Sequence, residues 1–138
     1  MTRRSDWRHR LELYLNEVSR RPFRPGHHDC ALFAAGACHA MTGTDPARGW
    51  RGYRSLEAGR AKLKEKGFDD HIALAASLMP EIDPVFAQVG DIAVINIEGP
   101  GDTGNRALGV VQGASIYVPG LKGIALVPLS DATRAFRP

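Results

Sequence analysis

An α+β fold, with helices in the first half and antiparallel strands in the second, is predicted by three observations. Apolar residues recur at helical spacing up to about residue 79 of the 138-residue chain. β-branched runs bounded by glycine take over after residue 87. No repeat or low-complexity linker divides the sequence, so the helices and strands are expected to form one domain, 1–138. A hydrophobic fraction of 43% is enough for a core, and 24% charged residues is ordinary for a globular chain.

Ser5 or Asp6 is placed to cap a first helix, whose apolar stripe is Trp7, Leu11, Tyr14, Leu15 and Val18. Pro22, Pro25 and Gly26 then make a rigid, irregular loop. A second helix over 30–41 is apolar nearly all round and stops at Gly43, so it is expected to be the buried central helix. Gly36 in its interior costs helix propensity and leaves room for a neighbouring element to come close. Residues 44–53 read as an ordered loop. Its Trp50 and Tyr53, beside Arg48, Arg51 and Arg54, are either lids on the core or a wall of a partner groove. Ser55 caps a third helix reaching about residue 66, and a fourth spans about 70–79 before Pro80. Strands are expected over 91–97, 107–112, 114–118 and 124–129, with a glycine-rich turn over 98–105 and a tight connection at Gly113.

The most informative local feature is His27-His28-Asp29-Cys30, followed at once by the small, apolar run 31–37. Asp29 is a good N-cap, which makes Cys30 the first helical residue. The helix N-terminus carries about half a positive charge, and that field favours thiolate over thiol. Cys30 is thus a candidate nucleophile. A nucleophile of this kind needs a base. His28, two residues away, is the nearest imidazole that can fold back toward Cys30. His39 falls on the opposite face of the helix, and His9 and His71 lie on other helices with no sequence reason to converge on the thiol. Cys38, eight residues on, is too far along the helix to pair with Cys30 and is expected in the core.

Other classes are poorly supported. Adjacent His, His, Asp and Cys in one loop do not make the spaced pairs of a zinc site, and no cofactor is expected. Gly99, Gly101 and Gly104 lack the Gly-Lys-Ser/Thr of a phosphate loop. No apolar run reaches the length of a membrane span, and no hydrophobic segment follows the N-terminal arginines as in a signal peptide. The net charge of +3 hides an asymmetry, +7 over residues 1–66 and −4 over 67–138. Nothing interleaves aromatics with the basic residues as a nucleic-acid platform does, so a solvated arginine-rich surface is expected, with a salt-sensitive partner contact as the alternative.

The order Pro22-Phe23…Gly26…Asp29-Cys30, then Gly90-Asp91-Ile92-Ala93-Val94, then Ala107-Leu108-Gly109-Val110-Val111 and Gly113, resembles the NlpC-type cell-wall cysteine peptidases. The resemblance covers most of residues 22–118. It implies a papain-like fold in which a central helix bearing the cysteine packs on a C-terminal antiparallel β-meander. Within it, Asp29-Cys30 with 31–35, Met41-Thr42-Gly43-Thr44-Asp45-Pro46 and Arg51-Gly52-Tyr53 are similar to a set of small phage and prophage proteins found among tail-assembly genes. That similarity implies a virion-tail component, near the tip or hub, made in the host bacterial cytoplasm and in contact with other tail proteins. The chain departs from the peptidases at the base: Ala107 stands where their catalytic histidine starts the second strand, and Tyr117 offers the only polar side chain in the stretch that would orient it. The expectation is therefore a tail structural or assembly component on a degenerate, inactive peptidase fold. The alternative is an active cysteine peptidase or amidase cleaving peptidoglycan peptides through Cys30. A small inhibitor or immunity-type protein binding through its basic half is a third reading.

Overall fold

A computed structural model describes residues 1–97 and 105–138, and the glycine-rich turn expected over 98–105 lies almost wholly outside the described residues. Four helices precede or flank a six-stranded sheet, which makes the chain α+β: α1 (Trp7–Val18), α2 (Cys30–Thr42), α3 (Leu56–Glu65), α4 (His71–Leu78), β1 (Glu81–Ile82), β2 (Ile92–Asn96), β3 (Arg106–Gln112), β4 (Ser115–Gly120), β5 (Gly123–Pro128) and β6 (Arg134–Phe136).

Helix starts follow side-chain chemistry at three of the four N-termini. Asp29, Ser55 and Asp70 each accept the backbone N–H three residues on, from Leu32, Ala58 and Ala73. Asp6 departs from expectation. It makes no capping bond and instead holds Arg10 through both carboxylate oxygens, at 2.9 and 3.0 Å. Gly36 admits the neighbour anticipated for it: Tyr14 of α1 lies against it, where a Cβ would overlap the phenol, and donates to the Phe33 carbonyl at 2.9 Å.

All strand pairs are antiparallel, in the order β1-β6-β2-β3-β4-β5. The meander β2–β5 is the part the sequence pattern anticipates. β6 returns to pair with β2, and β1 joins β6 at the edge. These two strands are only three and two residues long, too short for an alternation signal. One face of the sheet carries Ile92, Val94, Leu108 and Val110 into the core shared with Leu11, Leu15, Phe33, Cys38, Met41 and Ile72 of the helices. The other gathers Ala93, Ile95, Ala107, Val111 and Ile116, with Cys30, Val118, Val127, Leu129 and Ala132 packed over them.

α2 and α4 lie side by side in a defined register. Cys30 meets His71 at their N-terminal ends, and eight residues on Cys38 meets Met79. The two ends of the chain are tied at the sheet by Asp91, which is fully buried. Arg3 reaches one of its oxygens at 2.8 Å, Arg137 grips both at 3.1 and 2.8 Å, and the Gln88 N–H donates at 2.8 Å. Arg3 also donates to the carbonyl of Pro138. Asp91→Ala is expected to lower unfolding free energy by about 3 kcal/mol, the low end for breaking a buried pair because the guanidiniums can turn to solvent. Urea denaturation should show a lower midpoint with an unchanged slope.

Candidate functional site

Asp29 is the only charged side chain at the start of α2, and it is 1% exposed. One carboxylate oxygen caps Leu32 at 3.0 Å. The other accepts the Gly26 N–H at 3.0 Å and the hydroxyl of Tyr53. The carboxylate thus joins the 22–29 loop, the helix and the 44–55 loop. Gly26 has φ +77°, and a Cβ there would overlap the Tyr53 carbonyl, so only glycine lets the two loops touch. Their contact is closed by Gly52 N–H to Gly26 O at 3.0 Å.

This frame sets Cys30 half-buried on the first turn of α2. Its Sγ lies 3.8 Å from Nε2 of His71, the first residue of α4. Sequence spacing gives no reason for a histidine to stand there; the structure brings His71 to the thiol. Asp70 caps α4 and pairs with Arg106 at the start of β3, which brings the neighbouring His71 up to the same end of that strand. The ring therefore approaches Cys30 from the helix side, while Ala107, buried in the cluster on which Cys30 packs, leaves a methyl group at the strand position.

His28, the base candidate from the sequence, lies away from the thiol cleft. Its backbone is pinned by a bridge to Arg24, and its ring stands edge-on to Phe33 at 5.9 Å. It is 95% buried by the loop and α2, with Nε2 unpartnered, and lines a separate groove with Tyr14, Arg21, His39 and Arg51 instead of the space around Cys30. Among the described residues, four of the eleven arginines of the basic half pair with acids, Arg3 with Asp91, Arg10 with Asp6, Arg21 with Glu17 and Arg51 with Asp45. Tyr117 packs against the main core. Trp50 and Tyr53 close over Leu32, Ala35 and Ala47 as lids, and both also border the cleft at Cys30. Among the described residues no three His, Cys, Asp or Glu side chains group as metal ligands.

The cleft has a volume of about 720 Å³ and is open to solvent. Cys30 and His71 share it with Asp29, Tyr53, Arg106 and Ala107. The helix-terminus field does not dominate the thiol as expected. Burial pushes Cys30 up to about 11, Asp29 adds to this, and the main chains of Leu108 and Ala31 only partly oppose it. Burial also holds His71 below its ordinary value, against Asp70 and the Arg106 main chain. Thiol and imidazole therefore rest as a neutral pair. Such a pair supports nucleophilic attack in which the proton moves as the new bond forms.

A family model, "Domain of unknown function (DUF6950)", matches residues 2–138. The chain belongs to the DUF6950 family. No curated protein matches it. Among the described residues of this DUF6950 domain, no helix is long and apolar enough to cross a membrane.

Tyr53→Phe is expected to cost about 1–2 kcal/mol, because it leaves a buried carboxylate one donor short. Thermal denaturation with unchanged secondary structure would measure this. Both thiols are raised on folding, Cys30 to about 11 and buried Cys38 to about 12, from 9.0. Raised groups bind more protons in the folded state, so their contribution is complete below about pH 9 and is lost as pH rises through 11 and 12. Stability measured from pH 8 to 11 should fall, and the fall should be shallower in the Cys30→Ala, Cys38→Ala double variant.

Proposed function

We propose that this domain is a phage- or prophage-tail component on a papain-like, NlpC-type scaffold, and that its cleft is a cysteine acyl-hydrolase site. Cys30 is the nucleophile and His71 the general base. The observation that carries the catalytic reading is the 3.8 Å approach of the Cys30 sulfur to His71 Nε2 within an open cleft. In this reading His71 takes the thiol proton as sulfur attacks the acyl carbon, then protonates the departing amine, alcohol or thiol. Water completes the turnover by hydrolysing the thioester. The N-terminal amides of α2 stand beside the sulfur and suit a developing oxyanion. The tail assignment, with tip or hub proteins as partners, rests on the resemblance carried by residues 29–53.

A second reading keeps the tail role and makes the site silent. It is favoured by Ala107 at the strand position and by a thiol held protonated up to about pH 11. The two readings part on one measurement, the mass of the intact protein after exposure to an activated acyl ester. The catalytic reading expects a single thioester adduct that Cys30→Ala abolishes. It expects turnover at least a hundredfold lower in His71→Gln, the ordinary contribution of a general base. An unmodified wild-type protein, or equal labelling of Cys30→Ala, sinks it.

A further inference from the structure

We infer that the acyl group taken by this cleft is an aliphatic chain, not a charged stem peptide; the inference rests on the catalytic reading above and names its substrate class. The argument begins with which polar groups are free. Of the charged side chains lining the cleft among the described residues, Arg106 is held by Asp70, and Asp29 by Tyr53, Gly26 and Leu32. Arg60 donates to Asn105 at 2.9 Å. His71 faces the thiol. Asp131 is left, exposed at the rim. A ligand carboxylate would have to draw Arg106 from Asp70 or Arg60 from Asn105, and such exchanges return little, so among the described residues Asp131 at the rim is the one charge left to meet a ligand ammonium.

The apolar lining is ample. Leu56, Leu63, Leu74, Leu78, Ile95 and Ile97 surround the space, and it continues between α2 and α4 to Cys38 and Met79. Three of these side chains are unusually exposed for their size, Leu56 at 43%, Leu78 at 42% and Ile97 at 48%. They come from α3, α4 and the residue that follows β2, yet all three border the same cleft. Exposed apolar side chains converging from separate elements on one concavity mark a binding surface. The volume of about 720 Å³ lies within the range of small-molecule sites, roughly 300–1,000 Å³. The thiol sits on the wall of this space, so an aliphatic chain lying along the leucines presents its carbonyl carbon to sulfur. The step balances with water as the co-reactant: the C–S bond forms and the C–O, C–N or C–S bond to the leaving group breaks. The leaving group receives the proton that His71 took from Cys30. Water then returns the free carboxylic acid and the thiol.

The test uses the full chain with p-nitrophenyl acetate, butyrate, hexanoate and octanoate, each corrected for the rate with Cys30→Ala. It adds a synthetic peptidoglycan stem peptide, and binding of decanamide to Cys30→Ser followed by tryptophan fluorescence. The expected result is kcat/KM rising with each added methylene by up to about fourfold, the equivalent of about 0.8 kcal/mol. Decanamide should saturate Cys30→Ser, about tenfold more weakly when Leu78→Glu or Ile97→Asp is added; both sites are exposed enough to tolerate a charge without unfolding. Thioester formation with no dependence on chain length, or a stem peptide cleaved faster than octanoate, overturns the aliphatic assignment and leaves the hydrolase standing. Decanamide binding without thioester formation from any ester upholds the aliphatic assignment and sinks the hydrolase. Neither binding nor acylation overturns both.

Discussion

The Asp29 carboxylate is the constraint on which the site depends. A charge removed from water must have its lone pairs filled, and here they are filled from three directions at once: the first turn of α2, the loop before it and the loop after it. Because each donor belongs to a different segment, satisfying one carboxylate positions all three. Cys30 follows Asp29 in the chain and inherits that position. The side chain that starts the helix is also what holds the rim of the cleft, with Tyr53 as the joint between them.

The same carboxylate works against the thiol. A helix N-terminus favours thiolate, but Asp29, which engages the Leu32 amide, sets its own negative charge next to the sulfur. Burial then decides the balance and keeps the sulfur protonated. His71 is subject to the same burial and stays neutral. A neutral thiol–imidazole pair is a poor reagent toward small electrophiles in solution. In the proposed catalytic reading, a substrate enters the cleft, displaces water and delivers its carbonyl to the sulfur, so that the charges form only as the bond does.

A second buried carboxylate, Asp91, does for the ends of the chain what Asp29 does for the loops. Arg3 and Arg137 lie 134 positions apart and meet on it at the start of β2. That contact closes β6 beside β2 and completes the sheet that carries β3, and with it Ala107 and the anchor of Asp70. Site and fold are thus coupled through two acids and their donors, each buried and each multiply bonded.

What the sequence determined by itself was local. Asp29, Ser55 and Asp70 before apolar runs mark helix starts because the capping partner is three residues away, within the same stretch of chain. The β-branched run of β2 and the glycine at 113 declare a hairpin sheet for the same reason. Gly36 announced a close neighbour, though not that the neighbour is Tyr14. The tertiary structure alone decided which histidine faces Cys30. His71 is 41 residues away, and it arrives because α4 packs in register along α2 and Asp70 is tethered to Arg106 on β3. No periodicity records such a meeting. Nor does any pattern reveal β1 and β6, too short to alternate, or the ionisation of Cys30. Its dipole is written in the sequence, but the burial that outweighs it exists only once helix, loop and sheet have closed around the thiol.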